Sequence, residues 1–240
     1  MELSKKNNLI IWRKKPQLRK NKQSAWSSKN WIKSQLSKVR ESKTRNTLNK
    51  NEKIIFDLVN KKLKKNKILD VGGGLGPFYY SLEKKKLNLD YYILENNKLI
   101  NELKKIKFEK IKFVRKVPKK KFNIVFFASS LHYISNWKSL FTEILKNQPD
   151  CIAIIDLPVV NVKSFFVYQK YYSYEIKYRF QNKNDLKLFF KNKNYILTKN
   201  IFNFKSKVNK KEYYEKNFFK KKFFKIRSET FIFQHSKKKY

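Results

Sequence analysis

The apolar positions of this chain change period as it is read from the amino terminus. Trp31, Ile32, Leu36 and Val39 recur every three or four residues, and so do Ile54, Ile55, Leu58 and Val59. Such spacing gathers them on one helix face. It predicts a helix capped by Ser27 or Ser28 and a second over Glu52–Leu63. From Lys67 onward short apolar runs alternate with amphipathic stretches. The runs Ile68–Val71, Leu89–Leu94, Ile111–Val114, Phe122–Ala128 and Cys151–Leu157 read as strands. Between them lie helical patterns over Pro77–Lys86, through Leu99, Leu103 and Ile106, and over Ser139–Lys146. Strand, helix and strand in repetition imply a parallel sheet. The last two runs are apolar but for Asn123 and Asp156, as expected for central strands covered on both faces. An aromatic, lysine-rich insertion, Val159–Phe180, follows. Then come a helix over Asp185–Lys191 capped by Asn182 or Asn184, and a closing antiparallel pair, Tyr195–Phe204 and Thr230–His235, with a basic helical excursion, Lys210–Lys222, between its strands. One junction fits badly. Arg115–Lys121 spans seven residues, where a parallel crossover usually takes about a dozen. Either the third strand ends early or the link runs nearly straight under the sheet edge.

Composition narrows the class. With 240 residues, 41% hydrophobic and 16% aromatic, the chain has enough apolar material for a packed core and one large domain. Residues 1 to about 23 are basic and polar and expected to be poorly ordered. We divide the chain into a basic tail and helical cap, residues 1–62, and a main domain, 63–240. No apolar run reaches membrane-spanning length, and Leu9–Trp12 is too short for a signal peptide. The lone Cys151 excludes an internal disulfide and reads as a buried core residue. A cytoplasmic location fits.

The net charge of +41 points first towards nucleic acid. Lysine supplies nearly all of it, and arginine, the better bidentate reader of phosphate, occurs at only seven positions. Lys, Asn, Phe, Tyr and Ile are all abundant while Gly and Pro are scarce, the pattern of an AT-rich coding sequence. The lysines are also spread along the chain. The positive field is real, but it does not by itself name a partner.

All four glycines of the protein fall between Asp70 and Pro77, in Lys-Ile-Leu-Asp-Val-Gly-Gly-Gly-Leu-Gly-Pro. Glycine serves where backbone takes positive φ or something approaches it closely. Proline suits a first helical turn. A strand that breaks into glycines and enters a helix is an arrangement for cradling a nucleotide. Gly72, Gly74 and Gly76 give G-x-G-x-G and not the dinucleotide spacing G-x-G-x-x-G. Asp70, two residues before the first glycine, would repel a pyrophosphate and is suited to hold an amino group. Glu95 ends the second strand, 21 residues beyond Gly74, where an acid accepts from both ribose hydroxyls.

This stretch resembles motif I of the class I S-adenosylmethionine (SAM)-dependent methyltransferases, over roughly residues 60–240. The resemblance implies a Rossmann-like α/β sheet, mostly parallel with an antiparallel last strand, behind the N-terminal helices. It implies SAM as cofactor, with Asp70, Gly72, Gly73, Gly74, Gly76, Glu95, Ser129 and Ser130 around it. Many of these enzymes carry an Asp after the third strand to meet the adenine amine. Here Arg115, Lys116 and Val117 stand there, so backbone near Lys116 or a stacking aromatic must serve.

The fourth strand runs into Ala128-Ser129-Ser130-Leu131-His132-Tyr133-Ile134, beside the methyl donor in such a sheet. His132 is a candidate base for a hydroxyl or amine, or a residue that only shapes the pocket. Asp156 is the second candidate, as base or acceptor anchor. The Ser129–Ile134 run, this acid and the Trp-bearing first helix are similar to a group of bacterial methyltransferases associated with surface-polysaccharide synthesis. No His/Cys cluster has metal-ligand spacing, so no metal is expected. The favoured function is methylation of a small-molecule or saccharide acceptor at oxygen or nitrogen. RNA methylation, with the tail Phe218–Ile226 on phosphates and bases, is the less favoured alternative. A non-catalytic binding protein on the same fold is a third. The oligomeric state is not legible.

Overall fold

The computed structural model describes residues 12–13, 25–60, 66–103, 108, 110–171, 174–203 and 227–236. The expected Lys210–Lys222 excursion, the tail Phe218–Ile226, Ile106 and most of the first 23 residues lie outside them. The short strand β1 (Trp12–Arg13) precedes a 3-10 turn, Ala25–Ser27, and two helices, α1 (Lys29–Thr44) and α2 (Lys50–Asn60). Ser28 is the cap of α1, its hydroxyl accepting from Trp31 N. Then come β2 (Asn66–Val71), α3 (Pro77–Glu83), β3 (Leu89–Leu94), α4 (Asn97–Leu103), β4 (Ile111–Val114) and β5 (Ile124–Ala128). A 3-10 turn, Leu131–Tyr133, leads to α5 (Trp137–Leu145), β6 (Cys151–Val160), β7 (Phe165–Tyr171) and β8 (Tyr174–Asn182). The chain ends in α6 (Lys183–Lys191), β9 (Tyr195–Asn203) and β10 (Arg227–His235).

Among the described residues β4, β3, β2, β5, β6, β10 and β9 lie side by side in that order. The first five are mutually parallel, and β10 is antiparallel to both its neighbours. This is the mostly parallel Rossmann-like sheet with an antiparallel last strand that the sequence led us to expect. Strand order reverses between β2 and β5, which opens a crevice at their carboxyl ends. Each sheet face carries its own core. Leu69, Val125, Phe127, Ile152 and Phe231 pack against α5 and α6, while Ile68, Ile93, Ile124 and Phe126 pack against α2 and α3. No helix among the described residues is long and apolar enough to cross a membrane.

The described residues of the insertion after β6 form strands. Its two halves, β7 and β8, pair antiparallel, and β8 continues alongside Val159 and Val160 of β6. Val167 and Gln169 are buried while Phe166 is exposed, so the strand period is present. Aromatic residues on both faces hide it in the sequence. β6 itself runs beyond its expected end at Leu157. Pro158 is tolerated because it lies past the last β5 pair and before the first β8 pair.

The short crossover takes the second of its two expected courses. β4 ends where expected, and Val117 is buried in the same cluster as Tyr92 and Phe122. Lys120 Nζ donates to the Tyr92 hydroxyl at 2.6 Å, and Asn123 exchanges hydrogen bonds with Lys67 on β2. The link thus returns over β3 without a helix.

One buried carboxylate ties the N-terminal helices to the sheet domain. Glu52 accepts from Asn49 N at 2.7 Å, from Ser81 Oγ at 2.7 Å and from the Arg45 guanidinium. Glu52 N in turn donates to Asn49 Oδ1, which closes a capping box at the start of α2. Glu52→Ala takes the acceptor from Ser81 Oγ and from one arm of Arg45, whose other nitrogens still reach Thr47 O and Glu41. We expect a loss of roughly 3 kcal/mol, read as a fall of roughly 10 °C in the thermal midpoint.

Candidate active site

β2 delivers Asp70 to the crevice and the chain then folds back through its glycines into α3. Gly72, Gly74 and Gly76 take φ of 73°, 61° and 75°, and Pro77 occupies the first helical turn. A side chain on Gly74 would meet Gln35 Oε1 at 2.8 Å, so α1 lies directly on the turn. Gly73 is required for a different reason. A Cβ there would lie 2.2 Å from Asp70 Oδ2. Gly76 faces away from the crevice, against Ile93 and Ile111.

Asp70 is fully buried beneath this turn. Its Oδ2 accepts from the Tyr91 hydroxyl at 2.9 Å, and its Oδ1 has no partner among the described residues. Burial pushes its pKa up to about 8, against the pull of the Tyr91 bond and with a further push from Glu95. Glu95 turns back towards the glycines. Its Oε1 accepts from Gly74 N at 3.0 Å and its Oε2 from Asn96 N at 3.0 Å. Burial also raises its pKa.

These groups line a cavity of about 770 Å³, within the range of small-molecule sites. Ser129, Ser130 and Tyr133, past β5, and Arg115, past β4, also line it. α1 and the turn before it make the roof. Trp26 meets Tyr133, Tyr171 and Trp31 with ring centroids 4.7, 5.5 and 5.9 Å away. None of Trp26, Trp31, Gln35 or Tyr171 was singled out in the sequence as a site residue. Their helical and strand spacing reads equally well as core, and only the closure of the N-terminal segment onto the glycine turn, with the end of β7 against Trp26, brings them here.

The remaining expected residues divide. Ser130 is buried, and its hydroxyl donates to Val71 O at 2.5 Å, clamping the end of β5 to the end of β2. Ser129 is exposed to the cavity and donates to Asp156 Oδ2 at 3.0 Å. Asp156 sits one layer behind it and also accepts from Ser228. His132 is not among the residues that line the cavity. Its ring lies 4.1 Å from that of Tyr133 and 4.5 Å from that of Tyr178. Nδ1 has no partner among the described residues, and burial pushes the pKa down to about 3.

The sequence matches no family model and no curated protein. Solved structures do match it. A SAM-dependent methyltransferase from Clostridium acetobutylicum superposes with a TM-score of 0.50 and 11% identity, covering 85% of this chain and 98% of that one. Magnesium protoporphyrin IX methyltransferase from Synechocystis PCC 6803, with bound SAM, gives 0.51 and 9%, covering 90% and 100%. A methyltransferase of the same class from Listeria monocytogenes gives 0.52 and 9%, covering 77% and 97%. The chain has the fold of the SAM-dependent methyltransferases. In this chain the β7–β8 hairpin gives Tyr171 to the crevice, and α1 gives Trp31 and Gln35.

Proposed function

We propose that the protein is an enzyme that transfers a methyl group from SAM to a small-molecule acceptor. The observation that carries this reading is the unpartnered, buried Asp70 Oδ1 beneath a glycine turn that leaves no room for a side chain. A buried acceptor without a partner is costly, and the ammonium of SAM would satisfy it. Glu95, already drawn to Gly74, is placed to take ribose hydroxyls. Asp70, Gly72, Gly73, Gly74 and Glu95 would hold the donor, with Ser130 and Gly76 setting the backbone that carries them. When bound, SAM supplies an electrophilic methyl group. The chain's own task is then to orient the acceptor in line with it and to exclude water.

We assign His132 to the shaping of the pocket wall through Tyr133, since a buried imidazole of low basicity outside the cavity is a poor proton acceptor. The roof formed by α1 favours a small acceptor over a nucleic acid. A saccharide, the class tied to surface-polysaccharide synthesis, is one such substrate. Calorimetry should show wild-type protein binding SAM and Gly74→Asp failing to bind. The substitution sets a carboxylate against Gln35 and Glu95 at a backbone angle that suits glycine. Equal binding by both proteins would overturn the assignment of the donor site.

A further inference from the structure

Two non-glycine residues with left-handed backbone stand side by side at the crevice. Ser129, just past the end of β5, has φ of 52°, and Asp156 of β6 has φ of 59°. Their neighbours Ala128 and Ile155 are paired in the sheet. For Asp156 the cause is a bulge. On β10 Glu229 faces Leu157 while Phe231 faces Ile154, so Thr230 stands opposite both Ile155 and Asp156. A bulge re-aims one side chain, and such backbone persists where its surroundings over-determine it. Three hydroxyls supply the surroundings. Ser129 Oγ donates to Asp156 Oδ2 at 3.0 Å, Ser228 Oγ donates to Oδ1, and Thr230 Oγ1 accepts from Asp156 N at 3.3 Å.

A serine hydroxyl has one proton to donate. That of Ser129 is directed at Asp156, and its oxygen offers the cavity lone pairs alone. It is built to receive a proton-bearing group. Beside it the wall is aromatic, with Trp26, Tyr133 and Tyr171 lining the same cavity. His132 does not line it, so it offers no competing route.

We infer that Ser129, held by Asp156, receives the hydroxyl of a ring-bearing alcohol or phenol seated against Trp26, Tyr133 and Tyr171. This rests on the methyl-transfer reading given above. As the acceptor oxygen bonds to the methyl carbon, the electron pair of the broken carbon–sulfur bond stays on sulfur. Ser129 Oγ takes the hydroxyl proton and passes its own to Asp156 Oδ2, and the protonated Asp156 returns it to water. Ser129 touches the acceptor, whereas Asp156 acts through it as a positioning residue and proton store.

The test follows release of S-adenosylhomocysteine at pH 8 from SAM with phenol, 4-nitrophenol or methyl β-glucoside, together with SAM affinity by calorimetry. 4-Nitrophenol is largely ionised at this pH and needs no proton acceptor, whereas the other two keep their protons. Ser129→Ala and Asp156→Asn should lose about 100-fold or more in kcat on phenol or the glucoside, and about threefold or less on 4-nitrophenol. SAM affinity should stay within about threefold in both variants. If Asp156→Asn does not fold, Ser129→Ala decides alone, since it removes only an exposed hydroxyl. Turnover of phenol assigns an aromatic acceptor and turnover of the glucoside a saccharide, each supporting the inference. Equal losses on ionised and protonated probes would overturn it. So would unchanged turnover in both variants, or wild-type protein that binds SAM but methylates none of the three. Failure to bind SAM strikes at the methyl-transfer reading instead.

Discussion

Titration of SAM into the protein at pH 7 should release close to one proton for each ligand bound, and Asp70→Asn should abolish that release. Asp70 is buried, receives one hydrogen bond from Tyr91, and leaves Oδ1 unpartnered. With its pKa pushed up to about 8 by burial, it is mostly protonated at neutral pH. A cation lodged against it favours the charged form, so the proton must leave as the ligand enters. Affinity for SAM should therefore climb as pH rises towards about 8 and then level off. Calorimetry in two buffers of different ionisation enthalpy reads the proton count directly. Asp70→Asn, lacking the charge, should bind roughly 100-fold more weakly at pH 8, the cost of one lost charge-assisted contact. Binding without proton release would place the cation elsewhere.

The same shift fixes how the ligand-free protein responds to pH. A carboxyl whose folded pKa lies above its unfolded value of 3.8 makes the folded state bind more protons in the window between them. Its contribution is fully present below pH 4 and is lost as pH rises through about 8, a change on the order of several kcal/mol. Asp70→Asn should flatten this limb of the stability curve. Urea unfolding across pH 5–9 measures it.

The second large effect is expected from a single methyl group. Gly73→Ala puts a Cβ 2.2 Å from Oδ2 and 2.4 Å from Cγ of Asp70, and the Tyr91 bond prevents that carboxyl from swinging aside. The turn must lift into the cavity or the carboxyl must leave Tyr91. We expect a destabilisation of about 3 kcal/mol and loss of SAM binding. Adding Asp70→Ala removes the obstacle, so the double variant should be more stable than the sum of the single effects by about 1 kcal/mol or more. Simple additivity would refute the contact.

What was legible in the sequence followed from short-range constraints. The five parallel strands are continuous or near-continuous apolar runs because a strand covered on both faces has no polar side to show. The glycine turn was visible because a chain with four glycines places them all where a Cβ has no room or the backbone is left-handed. The capping residues were legible too, and Asn182 proves to be the cap of α6, accepting from Asp185 N at 2.8 Å. By contrast, the β7–β8 hairpin was hidden because aromatic residues populate both of its faces.

The sequence alone thus determined the sheet, the turn and the two acids, Asp70 and Glu95, since each is set by neighbours within a few residues or by strand periodicity. Only the tertiary structure decided which side chains share the cavity. It buried His132 between tyrosines, and it set Asp156 behind Ser129 through a bulge formed with Thr230, 74 residues away. It also brought Trp26 and Gln35 onto the glycine turn. Those placements depend on strand order and on contacts between distant segments. Hydrophobic periodicity records whether a residue is buried, and nothing in it records against what.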